Sequence, residues 1–261
     1  MFCNPSCTAK QVGILLLLVA GRAAPTTIVV VRTPVDVSIG ADSLGTFYSG
    51  DGSQSDRSVC KIYSVGGAFL GVAGLDNDPV TKFSVPQTIS EAIAGKVRFT
   101  ETLSAAQHAL IPKLESELQS LMRTRPQVVS DSLKSGGGVS IILLGIEDGV
   151  PVAIGQRFAV STDGMSHVLP EKPVRCPGSD CVNGVYVFLL GESEIIKKAT
   201  SSGGQSFNDS LALARRLVQL EIDAHVPGVG GPIDGLRVTA HGQEWVGRKP
   251  GCPISLMTPH N

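Results

Sequence analysis

The chain has 261 residues, with 22 Lys+Arg against 23 Asp+Glu, a formal net charge of −1 and 17% charged residues. That balance leaves no electrostatic footprint for nucleic acid, and the length is ample for a sizeable core. Thirty glycines and sixteen prolines imply many turns, and no internal repeat or long run of one charge is visible.

Residues 1–25 differ from the rest. An apolar run of nine, Val12-Gly13-Ile14-Leu15-Leu16-Leu17-Leu18-Val19-Ala20, follows Lys10 and precedes Gly21-Arg22-Ala23-Ala24-Pro25. It is too short to cross a bilayer core, which takes about 20 residues as a helix, so no stable membrane span is expected. It matches a secretory h-region with small residues after it, or else a retained hydrophobic pro-segment. The first reading implies export to a periplasm or exterior; the second leaves the protein cytoplasmic.

The next stretch organises the chain. Thr26-Thr27-Ile28-Val29-Val30-Val31-Arg32 and Val37-Ser38-Ile39-Gly40-Ala41-Asp42-Ser43 are β-branched, short and separated by a polar turn (Thr33, Pro34, Val35, Asp36), which reads as a hairpin. Residues 44–58 are polar and glycine-rich and read as a loop. Residues 59–65 and 68–74, around Gly66-Gly67, read as a second hairpin. Lys61 lies there among apolar neighbours. A buried lysine is costly unless paired, so it is either an edge residue or held by a carboxylate.

Asp76-Asn77-Asp78-Pro79 breaks the chain, and helices are expected over 85–97 and 104–122, the latter with Leu110, Leu114, Leu118 and Leu121 at helical spacing. His108 on that helix reads as a surface histidine. Asp148-Gly149 between apolar runs predicts a hairpin of 139–145 with 151–160. Cys176 and Cys181 flank a turn in the polar segment 161–184; a local disulfide follows if the protein is exported. Without a second Cys or His pair, zinc is not expected. Cys60 and Cys252 have no assignable partners. A strand over 186–191, a helix over 192–200, a helix capped by Ser206 with Phe207, Leu211, Ala214, Val218 and Ile222 inward, and strands near 233–239 and 243–246 complete the chain.

Thr-Thr-Ile-Val-x-Val-Arg followed by Ala-Asp-Ser resembles the start of a mature proteasome β-subunit or its bacterial relative HslV. Asp42 stands sixteen residues after Thr26, the family's spacing between nucleophile and carboxylate; counting from Thr27 fits less well. The resemblance implies an α+β fold, a four-layer αββα sandwich of two antiparallel sheets with flanking helices, over 26–248, between a leader (1–25) and a C-terminal tail (249–261). It implies a threonine-type peptidase or amidohydrolase that needs no cofactor or metal. Its substrate would be a peptide or other amide, and sister copies or subunits would form rings.

In that reading Thr26 is the nucleophile, Asp42 and Lys61 are its catalytic pair, Gly74 supplies an oxyanion N–H, and Asp223 is the candidate second aspartate. Gly74 read by itself is an ordinary strand-end glycine. The family pattern is not kept throughout. Pro25 stands where precursors usually have Gly, Glu192 follows Gly191 in place of a serine, Val229 precedes Gly230-Gly231, and Asp223 lies a few residues early. The alternative is therefore a catalytically inactive, ring-forming relative, or a secreted binding protein on the same fold.

Overall fold

In the computed structural model the described residues are 26–48, 54–96, 98–127, 129–130, 138–161, 167–179, 181, 184–201 and 209–252. The leader, Gly136-Gly137, Ser206, Phe207 and residues 253–261 of the tail lie outside them.

β1 (Thr27–Arg32) and β2 (Asp36–Ala41) form the expected hairpin, paired Ile28 to Ala41 through Arg32 to Val37. The stretch expected as a loop instead makes a two-stranded ribbon, β3 (Leu44–Tyr48) with β4 (Gln54–Ser58). Its cross-strand contacts are polar, such as the Thr46 hydroxyl donating to Asp56 Oδ1 at 2.8 Å, so no apolar alternation announces it. β5 (Ile62–Val65) and β6 (Ala68–Gly74) turn at Gly66-Gly67 as expected. A minimal ribbon, β7 (Asn77–Asp78) with β8 (Phe83–Ser84), leads into α1 (Val85–Ala92), shorter than the sequence implied and capped by Ser84.

α2 (Phe99–Thr124) buries Leu110, Leu114, Leu118 and Leu121 and leaves His108 on the surface. It begins before residue 104 because the Phe99 N–H donates to Glu147 Oε1 at 2.9 Å, a cap supplied from 48 residues away. β9 (Val139–Glu147) and β10 (Val150–Val160) turn at Asp148-Gly149, both with positive φ. Two short strands the sequence hid, β11 (Val168–Pro170) and β12 (Val174–Cys176), both pair with β10. β13 (Tyr186–Gly191), α3 (Glu194–Ser201), α4 (Ser210–Asp223), β14 (Asp234–Thr239) and β15 (Gly242–Val246) follow. Asp209 caps α4, accepting from the Ala212 N–H at 2.8 Å.

The strands form a five-stranded sheet in the order β13-β1-β2-β14-β15 and a six-stranded one in the order β11-β10-β9-β6-β5, with β12 also on β10. Every pairing is antiparallel, so the fold class is α+β.

Alternation along β1 shows what each face meets. Ile28 and Val30 join Ile39, Phe188 and Leu236 of their own sheet and Phe69, Ile142 and Leu144 of the other in one apolar cluster. Val29 and Val31 point the opposite way, into a cluster with Ile196 of α3 and Leu213, Ala214, Leu217 and Val218 of α4. The far face of the six-stranded sheet, Leu70, Val72, Ile141 and Leu143 among it, packs with α1 and α2. β1 is thus buried on both sides, which is why its sequence is continuously apolar. Among the described residues no helix is long and apolar enough to cross a membrane.

Candidate active site

Four donors from four parts of the chain converge on one carboxylate. Asp42 follows β2 and is fully buried. Its Oδ1 accepts the Thr27 N–H at 2.8 Å and the Lys61 ammonium at 2.7 Å. Its Oδ2 accepts the N–H groups of Leu44 at 3.1 Å and Gly230 at 3.2 Å. In return the Asp42 N–H donates to the Thr27 carbonyl at 3.1 Å. Charge-assisted bonds of this kind are stronger than neutral ones, and four fill a carboxylate's acceptor sites.

Gly230 is held there by a backbone clasp: its carbonyl accepts from Ser43 at 2.9 Å and Leu44 at 3.0 Å. The Gly-Gly turn thereby wraps the end of β2.

Of the two possibilities for Lys61, the structure takes the second. The side chain is 2% exposed and ion-paired with Asp42. Burial lowers its pKa, opposed by the charge and hydrogen bond of Asp42 and by the charges of Asp76 and Asp234. Burial in turn pushes Asp76 up to about 6, with Lys61 pulling the other way.

The two threonines differ. Thr27 has both polar groups engaged, its N–H on Asp42 and its hydroxyl donating to the Glu192 carbonyl at 3.1 Å. Thr26 is fixed through its carbonyl, which accepts the Glu192 N–H at 2.7 Å. Among the described residues nothing hydrogen-bonds the Thr26 hydroxyl. Gly191 passes so close that a Cβ there would lie 1.9 Å from the Thr26 carbonyl oxygen, at a φ of +77°. Only glycine fits that crossing.

Gly74 ends β6 at a φ of +102°, where a Cβ would meet the Gly138 carbonyl oxygen at 2.3 Å. The demand for glycine at that position therefore arises from the backbone of the neighbouring segment, whatever its N–H does. Asp223 is not brought to the site. It is exposed on the last turn of α4, its Oδ1 accepting from Gln219 Nε2 at 2.7 Å, and no bond of the Asp42 cluster reaches it. The helix runs on through residue 223, and it is Gly230, by its backbone, that reaches Asp42.

Four residues of this region, Asp234, Lys249, Cys60 and Cys252, were not placed at the site by the sequence. Asp234, 2% exposed, pairs across the sheet with Ala41, next to Asp42. It accepts the Lys249 N–H at 2.9 Å and lies 3.8 Å from the Lys249 ammonium. Cys60, beside Lys61, is disulfide-bonded to Cys252 across a separation of 192 residues. No spacing rule pairs cysteines that far apart. Cys176 and Cys181 are joined as a local disulfide. Among the described residues no group of three or more His, Cys, Asp or Glu is arranged to hold a metal.

No protein-family model matches the chain, and no curated protein sequence matches it. Among solved structures, the crystal structure of eukaryotic HslV from Trypanosoma brucei is similar at a TM-score of 0.43 and 16% identity, over 82% of this chain and 99% of that one. A likeness that distant carries no argument about activity.

Proposed function

We propose that the chain is a threonine-type peptidase or amide hydrolase of the proteasome-like N-terminal nucleophile class, with Thr26 as nucleophile once residues 1–25 are removed. The three apolar clusters would then be the interlayer cores of an αββα sandwich. The observation that carries the reading is the Asp42 carboxylate, which ties a buried Lys61 to the first residue of β1. The residue just before it, Thr26, keeps a hydroxyl that no described group occupies.

A threonine hydroxyl needs a base to become nucleophilic. In this reading the Thr26 α-amine takes the hydroxyl proton as Oγ attacks the amide carbonyl, then delivers it to the leaving amine. The resulting ester is cleaved by water with the same amine as base. Lys61, anchored by Asp42, supplies positive charge that keeps the amine unprotonated. The Gly74 N–H would hold the oxyanion, a role whose loss typically costs about 10²–10³ in rate. Asp223 has no part in this scheme.

A second reading, an inactive ring-forming subunit, draws on Glu192 and Val229 standing where the resembling family has serines. Fluorogenic peptide amides offered to the processed protein separate the two. Active protein should lose hydrolysis to background on Thr26→Ala and keep a measurable rate on Thr26→Ser. Hydrolysis indifferent to Thr26→Ala would overturn the first reading, and none at all would favour the second.

A further inference from the structure

A second buried cation stands at the same site. The Lys249 side chain is only 9% exposed. Among the described residues its ammonium has no hydrogen-bond acceptor, and its nearest anionic neighbour, Asp234 Oδ2, is 3.8 Å away. That is an ion-pair distance too long for a hydrogen bond. Leaving a buried ammonium so loosely paired is costly, so something must hold it in place.

Four restraints do so. The Lys249 N–H is fixed on Asp234 Oδ1 at 2.9 Å. The Lys249 carbonyl accepts the Cys252 N–H at 3.4 Å, and Arg248 Nη2 donates to the Cys252 carbonyl at 3.1 Å. The Cys60–Cys252 disulfide then fastens this segment to the residue next to Lys61. Arg248 also stacks 4.5 Å over the Trp245 ring, which itself meets Phe69 edge-on. The chain after β15 is thus folded back over the site at both its backbone and its side chains.

Electrostatics join the two lysines. Burial lowers the Lys249 pKa first; Asp234 raises it, Lys61 lowers it and Asp42 raises it. Burial raises the Asp234 carboxyl, with Lys249 opposing. The charged groups that face Lys61 are therefore Asp42 after β2, Asp76 after β6, Asp234 opening β14, and Lys249, while Tyr63 beside it senses Asp76.

We infer that Lys249 is a positioning residue of this site: its ammonium, brought to the Asp42–Lys61 pair by Asp234 and the Cys60–Cys252 disulfide, sets the protonation of Lys61. A like charge nearby disfavours the protonated form. By its own charge, therefore, Lys249 keeps Lys61 easier to deprotonate. The consequence for catalysis rests on the threonine-hydrolase reading; the electrostatic coupling does not.

The test is a pH titration of the lysine side chains by NMR, using protein labelled at lysine ¹³Cε, read separately from hydrolysis. In the wild type, coupled lysines give curves in which each responds at the other's midpoint; two independent single-step curves overturn the inference without any variant. Lys249→Met should shift the Lys61 midpoint upward, and the double variant C60S/C252S, which frees the segment, should shift it the same way. A Lys61 midpoint unmoved in the folded Lys249→Met protein overturns the inference. If the wild type hydrolyses amides, the pH profile of Lys249→Met should move with the Lys61 midpoint. A merely structural role would lower the rate at every pH without moving the profile. If the wild type hydrolyses nothing, the function reading fails while the titration still decides the role of Lys249.

Discussion

The molecule buries two carboxylate clusters and treats them differently. At the head of β1, Asp42 meets three backbone N–H groups and one ammonium, and none of its acceptor sites is wasted. On the outer, helical side, Asp78 and Glu117 are 3% and 5% exposed and share one nearby cation, Arg125, which pairs with Asp78. There Glu117 Oε1 has no hydrogen-bond partner among the described residues. Burial, together with Asp78, pushes Glu117 up to about 7, against a hydrogen bond from Thr81 and the charge of Arg125. Asp78, against its own burial, is held below the usual range by bonds from Glu117, Val80 and Arg125. A carboxylate ringed by fixed donors can serve as an anchor; one short of donors holds a proton instead.

The largest effect expected from this contrast is on removing the anchor. Asp42→Ala strands a buried lysine and takes the acceptor from the Thr27 and Gly230 N–H groups, and should cost about 3–5 kcal/mol in urea unfolding at pH 7. A loss below about 1 kcal/mol, the level of a surface pair, would show the cluster to be ornamental. Lys61→Met should cost less than Asp42→Ala, because Asp42 keeps its three backbone donors; the reverse order would break the ranking.

Glu117→Gln should act through pH. With its folded pKa near 7 against an ordinary 4.5, Glu117 binds its proton more tightly in the folded chain. Its contribution to stability therefore falls as pH rises from about 4.5 to 7 and stays low above that. The variant should flatten the melting temperature across that window and melt higher than the wild type at pH 8; a parallel curve would contradict the assignment. The smallest effect belongs to Asp223→Ala, an exposed change expected to stay within about 0.5 kcal/mol and to leave hydrolysis unchanged. A large loss of rate would restore Asp223 to the site.

What could be read in the sequence was what neighbours along the chain dictate. β-branched runs around a polar turn gave β1 and β2, Asp148-Gly149 gave the β9–β10 hairpin, and the cost of burying Lys61 left it either at an edge or on a carboxylate, of which the structure takes the second with Asp42. What could not be read depends on distant partners. Glu147 starts α2 from 48 residues away, Cys60 and Cys252 pair across 192 residues, and β3 with β4 is a polar ribbon without apolar periodicity. Lys249 and Asp234 carried no local signal, because only the antiparallel register of β14 on β2 brings Asp234 beside Asp42. Asp223 was offered although it lies a few residues early in the spacing, and the helix that runs through residue 223 leaves it exposed.

The threonine mechanism requires that Thr26 acquire a free α-amine. N-terminal sequencing and intact mass of protein recovered from full-length expression test this directly. The expected product is a chain beginning Thr26-Thr27-Ile28. A chain beginning at Met1, Ala23 or Ala24 would leave Thr26 without its base and contradict the threonine mechanism.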